Sequence, residues 1–184
     1  MFKKALITAV ILTIAVSASV TFAQGARPYM LMAQAGYTRL SETDAPSGSF
    51  GLGGGISYMW RPDMAIGGEV SYFNFGSEDI SELDMESSLS AIPVTGQLAY
   101  YVPMESNLMP YIGAGAGLYN LRASVEGPGV DESESSNKFG TNFGGGIKFE
   151  SDTSWSYGVD VRYHIAFQEV ENWDMIGVFG RLFF

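Results

Sequence analysis

A chain of 184 residues suits one domain. Only 16% of its residues are charged, and 20 acids against 10 bases leave a formal charge of -10, a balance that argues against binding a nucleic-acid backbone. There is no cysteine for a disulfide or a thiolate metal site. The 23 glycines and 14% aromatics do not describe a soluble helical domain; they suit strands with an apolar medium on one face and a cramped interior on the other.

Lys3 and Lys4 precede an uncharged apolar run from Ala5 to about Val20, followed by small residues. This is the order of a cleavable secretory signal, predicted over residues 1–23 with cleavage after Ala23 and Ala18 as the alternative site. The apolar core is short for a retained membrane helix. Two of the 10 basic residues leave with the signal, so 8 face 20 acids and the net charge deepens from -10 to -12. Residues 24–184 form the mature domain.

No helical period follows. Eight alternating stretches recur instead: Tyr29–Leu40, Phe50–Trp60, Ala65–Phe75, Leu89–Val102, Tyr111–Leu121, Phe139–Glu150, Trp155–Gln168 and Trp173–Phe184. Most are near the ~9–11 residues a tilted strand needs to cross the hydrocarbon layer. The second strand sets Phe50, Leu52, Ile56, Tyr58 and Trp60 against Gly51, Gly53, Gly55, Ser57 and Met59. In the sixth, Phe139, Phe143, Ile147 and Phe149 oppose Asn142, Gly144, Gly146 and Lys148. The seventh is clearest. Trp155, Tyr157, Val159, Val161, Tyr163, Ile165 and Phe167 take one face, with Ser156, Gly158, Asp160, Arg162, His164, Ala166 and Gln168 on the other. Pro93 cannot donate to a ladder, so a bulge or a later start is expected in the fourth strand.

Connections alternate in length. Short ones are Arg61–Met64, Pro103–Met109 and Ser151–Ser154; long ones are Ser41–Ser49, Gly76–Ser88 and Arg122–Lys138, with a shorter fourth at Glu169–Asn172. Aromatics gather at the strand ends. Tyr29, Tyr58, Trp60, Tyr100, Tyr101, Tyr111, Phe149, Trp155 and Phe184 lie toward the short turns; Tyr37, Phe50, Tyr72, Phe75, Tyr119, Phe139, Phe167 and Trp173 lie toward the long loops. Two aromatic girdles around an aliphatic band are the arrangement of a membrane-spanning barrel, whose termini and short turns face the periplasm. The predicted fold is therefore all-β: an eight-stranded antiparallel up-and-down transmembrane β-barrel.

At this point the sequence resembles the small eight-stranded outer-membrane barrels typified by outer membrane protein A and outer membrane protein X. The resemblance covers nearly the whole mature chain. Its most specific piece is the end, where Ile176, Val178, Gly180, Leu182 and Phe184 alternate up to a terminal phenylalanine; the run from Pro110 to Gly117 also looks like a strand start common in these barrels. The resemblance implies that Ile176, Val178, Leu182 and Phe184 form a signal read by the outer-membrane assembly machinery. Because no peptidoglycan-binding domain follows Phe184, likeness to the A type is expected to stop at its barrel. Family members include adhesins, structural proteins and enzymes, so the resemblance implies architecture better than activity.

Candidate chemistry is sparse. The clusters Gly51–Gly55 and Gly113–Gly117 lie inside alternating strands rather than between a strand and a helix, so they read as close packing and not as a phosphate loop. Ser156, Asp160 and His164 share a strand face, but four residues span about 13 Å at ~3.3 Å each, too far for a hydrogen-bonded triad. The inward charges Glu69, Lys148, Asp160, Arg162 and Arg181 form the main constellation. Eight strands enclose a space that side chains fill, so these charges are expected to pair and plug the lumen. The loops hold most of the remaining acid, above all Glu78, Asp79, Glu82, Asp84 and Glu86, then Glu126, Asp131, Glu132 and Glu134. They lack the glycine of a calcium-binding EF-hand loop and read as a solvated anionic face.

The expectation is a monomeric, non-enzymatic barrel of the outer membrane of a Gram-negative-type bacterium, without metal or cofactor. It would serve envelope integrity, or surface contact through acidic loops. Expected partners are outer-membrane lipid and lipopolysaccharide, the barrel assembly machinery and an extracellular ligand. The alternatives are an enzyme acting on outer-leaflet lipid with His164 as base, and a narrow conduit for small molecules.

Overall fold

The computed structural model describes residues 29–41, 49–80, 85–127, 130–151, 154–168 and 172–184. The signal segment and its cleavage site lie outside them, as do most of the first connection, 42–48, and the acids Glu82 and Asp84. The described chain is eight strands: β1 (Tyr29–Leu40), β2 (Ser49–Arg61), β3 (Met64–Ile80), β4 (Met85–Tyr101), β5 (Leu108–Gly127), β6 (Val130–Phe149), β7 (Ser156–Ala166) and β8 (Trp173–Phe183). Each pairs antiparallel with its neighbours in sequence, and β1 pairs with β8 to close a barrel. Leu31 and Phe184 exchange two backbone hydrogen bonds of 3.1 and 2.9 Å, which carries the seam to the last residue. Closure leaves no strand edge within the membrane belt, the condition for a sheet in lipid.

Period-two alternation sets the two faces. Ile112, 66% exposed, belongs to an outer band with Ile56, Ile66, Val70, Val94, Leu98, Leu118, Val159, Val161 and Val178. So much contiguous apolar surface is unsuited to water and suited to acyl chains. The inward residues of the same strands are glycines, polar and charged side chains such as Gln34, Glu69 and Asp160, and buried apolar or aromatic ones such as Phe73, Tyr119 and Phe179.

Three sequence expectations change. β4 runs through Pro93 from Met85, and the register shift falls between Asn74 and Ser77 rather than at the proline. Apart from that shift, pairing to β3 lapses opposite Pro93 and Ile92, between Val70↔Val94 and Phe73↔Ala91, where the missing N–H removes a donor. The second correction concerns the connections Gly76–Ser88 and Arg122–Lys138, which are largely hairpin rather than loop. β3 and β4 stay paired out to Ile80↔Met85, and β5 and β6 to Gly127↔Val130. β4 and β5 are also joined up to Glu86↔Glu126, so a four-stranded sheet stands beyond the barrel on one side.

The third correction concerns the girdles. Tyr101, Tyr111, Tyr119 and Phe75 are buried in the lumen, and Trp173 packs against the core there. Tyr37, Phe50, Tyr58, Trp60, Tyr100, Phe139, Trp155 and Phe184 do face outward.

Candidate functional site: the layered lumen

The interior has three layers. Toward the projecting hairpins lies an apolar plug of Leu40, Phe73, Phe75, Ala91, Tyr119, Ala166, Met175 and Phe179, joined by Leu89, Leu121 and Trp173. Phe73 and Phe179 meet at 5.9 Å and Phe75 meets Trp173 edge-on at 5.0 Å. Glycines opposite the rings make this packing possible. A Cβ on Gly177 would come within 2.6 Å of the Phe179 ring, and one on Gly51 within 2.8 Å of Phe73 Cε1.

The middle layer is ionic. Arg162 Nε lies 3.1 Å from Asp160 Oδ1, and Arg181 Nη2 lies 3.1 Å from the same oxygen. Glu69 Oε2 is 3.5 Å from Arg181 and 3.8 Å from Arg162. Two carboxylates and two guanidiniums from three strands thus form a neutral, buried quartet, the arrangement under which buried charge is tolerated. Neutral side chains meet further valences, although Arg181 Nε is buried without a hydrogen-bond partner. Tyr111 Oη donates to Asp160 Oδ2 at 3.0 Å, Arg162 Nη1 donates to Gln97 Oε1 at 2.8 Å and to Asn142 Oδ1 at 3.0 Å, and Gln34 Nε2 donates to Glu69 Oε1 at 2.8 Å. Lys148 does not join the quartet. It lies nearer the short turns, 3.3 Å from Glu150 and over the Phe183 ring.

His164 faces the lumen, 2% exposed, with Nδ1 2.9 Å from Tyr119 Oη and its ring edge-on to Phe73. Ser156 and Asp160 share its face, but Asp160 is committed to the arginines and Tyr111. Sequence reasoning did not identify Tyr111, Tyr119, Gln34, Gln97 and Asn142 as members of the lumen network. Strand parity could have found them, since Tyr111 and Tyr119 alternate in phase with the glycines at 113, 115 and 117.

The third layer opens at the short-turn end. Ala65, Tyr101 and Tyr111 form its core, and Met30, Met59, Ala99 and Met109 pack on them. A cavity of about 310 Å³ lies at this mouth, and a smaller one of about 30 Å³ reaches inward to Glu69, Arg162 and Arg181. The described residues hold no cluster of three or more His, Asp or Glu side chains suited to a metal ion.

A closed eight-stranded barrel with an acyl-compatible exterior and a side-chain-filled lumen defines an integral outer-membrane protein of small size. The chain belongs to the outer membrane protein beta-barrel domain family, whose model matches residues 7–178. Its location is accordingly the outer membrane of a Gram-negative-type bacterium, with the short-turn end toward the periplasm. Solved structures of the same fold include Neisserial surface protein A, 18% identical over 87% of this chain and 98% of that one, with a TM-score of 0.66. Ail, the attachment invasion locus protein of Yersinia pestis, is 16% identical over 86% and 100% of the two chains, with a TM-score of 0.58. The outer membrane enzyme PagL is 17% identical over 83% and 97%, with a TM-score of 0.50. No curated protein matches the sequence.

Proposed function

We propose that the protein is a non-enzymatic surface-contact barrel whose projecting β3–β6 sheet receives a basic, extended polypeptide segment. The observation that carries this reading is a strand edge left unpaired among the described residues. β7 pairs with β6 only from Gly140↔Ala166 downward, apart from one bond from Phe167 N–H to the Phe139 carbonyl. Above it, the described residues of β6 pair with β5 alone. Ser133, Ser135 and Asn137 share the orientation of Phe139, so their backbone N–H and C=O groups turn to the open side. An unpaired edge is a template for an added strand.

Charge selects the partner. Asp79, Glu86, Glu126 and Asp131 stand side by side in register across the four strands, and Glu132 and Glu134 are exposed on β6. A second copy of the sheet would be repelled, and a cationic strand attracted. Ail has been captured with the heparin analogue sucrose octasulfate, a polyanion; the acidic sheet here favours the opposite sign.

Burial of His164 beneath the plug, turned away from lipid, argues against its use as a base on outer-leaflet lipid, although PagL bears enzyme chemistry on this fold. The same reading keeps Ile176, Val178, Leu182 and Phe184 as the signal for the assembly machinery, and lipopolysaccharide as the surrounding lipid. The test compares a labelled basic peptide of strand-forming sequence with its acidic counterpart. The basic peptide should bind more tightly, weaken with salt, and lose binding when residues 124–133 are replaced by an Asn-Gly turn in a barrel that remains heat-modifiable. Equal binding by the truncated barrel, or indifference to peptide charge, overturns the proposal.

A further inference from the structure

Below the charge quartet, methionine takes the inward positions that a packed apolar wall would give to leucine or valine. Met30 and Met32 come from β1, Met59 from β2 and Met109 from β5, while Ile56, Ile66, Leu98 and Val159 cover the outer face at the same end. The other inward residues there are small, polar or aromatic: Gly55, Ser57, Ala65, Ala99, Tyr101, Tyr111, Ser156 and Phe183.

Methionine commonly fills irregular gaps in a core. Here the gap is not filled. Met30, Met59 and Met109 all pack on the Tyr101–Tyr111 cluster and all line the open cavity of about 310 Å³, which they approach from different parts of the barrel wall. Met30 and Met32 continue into the smaller cavity behind it. Thioether sulfur is a poor ligand for hard cations and a good one for soft monovalent ions. A singly charged ion also needs no carboxylate to balance it, and aromatic faces such as those of Tyr101 and Tyr111 attract cations. The one cationic side chain at the cavity, Lys148, is neutralised by Glu150 at 3.3 Å.

We propose that Met30, Met59 and Met109 form a thioether site for a soft monovalent cation, Cu(I) or Ag(I), at the periplasmic mouth of the lumen. The site is separate from the projecting sheet and needs no partner protein.

The experiment titrates the folded barrel in detergent with Ag(I), using Zn(II) as the borderline-cation control, and reads the ¹³C-labelled methionine ε-methyls by NMR. The resonances of Met30, Met59 and Met109 should shift and saturate near one equivalent, while Met175, sealed in the plug, stays put. Replacing all three with leucine preserves volume and should weaken Ag(I) binding at least tenfold in a barrel that is still heat-modifiable. Should the triple variant not fold, single Met59→Leu and Met109→Leu variants each should weaken binding severalfold. Unmoved methyl resonances overturn the proposal. So does undiminished binding by the leucine variants, which would trace the ion to exposed Met104. Zn(II) shifting the same methyls equally overturns it too.

Discussion

Asp160 accepts from three directions: Tyr111 Oη on β5, Arg162 on its own strand and Arg181 on β8. It is wholly buried, so its charge is tolerated only through these partners. Asp160→Asn keeps the shape and removes the charge, leaving two guanidiniums to share Glu69. The expected cost is about 3–5 kcal/mol, the scale for breaking one partner out of a buried ion pair. Removing Arg181 as well (Asp160→Asn with Arg181→Met) restores neutrality and should recover much of that loss. Denaturant unfolding of both single variants and the double variant closes the cycle. Additive losses would mean the quartet is not coupled. The charged members of this layer were legible in the sequence because charges on the inward parity of a strand stand out. Tyr111 and Tyr119 were not, because an aromatic near a strand end also suits the membrane interface. Their parity, rather than their depth, decides the matter.

At the scale of elements, the strand bodies were readable where one face is apolar, as along β1, β2, β7 and β8. The upper reaches of β3–β6 were not. Stretches such as Ser133-Glu134-Ser135-Ser136 are polar on both faces, so no period-two contrast marks them, and the same composition describes a loop. They are held as strand by register with their neighbours, in spite of four acids standing in one cross-strand row. Opposite charges directly across a pair contribute about 0.2–1 kcal/mol, whereas like charges there are destabilising. Glu126 is in register with both Glu86 and Asp131, so Glu126→Lys would set opposite charges across both pairs. The hairpin amides around Val125 and Glu132 should then exchange with solvent severalfold more slowly, and added salt should narrow the difference from the parent protein. Unchanged exchange would show that the row contributes nothing to the order of the sheet.

Across the whole molecule, two seals stand in series along the lumen. One is the apolar plug around Phe73, Phe179 and Met175; the other is the neutral quartet beneath it. Among the described residues the larger cavity lies at the periplasmic mouth, on the far side of the quartet from the plug, an arrangement that suits a well rather than a pore. Ions cannot cross the plug without losing their hydration, nor pass the quartet without separating its partners. The parent barrel in a planar bilayer should therefore give no conductance steps. Removing one matched pair of the quartet, Glu69→Gln with Arg162→Gln, should leave it silent because the plug and the Asp160–Arg181 pair remain. Phe73→Ala with Phe179→Ala should also be silent, because the charged layer still spans the lumen. Combining the four substitutions in a barrel that still shifts on heating should be the first combination to conduct. Steps from the parent protein would refute the closed well, and steps from either double variant would show that the other layer is no seal on its own.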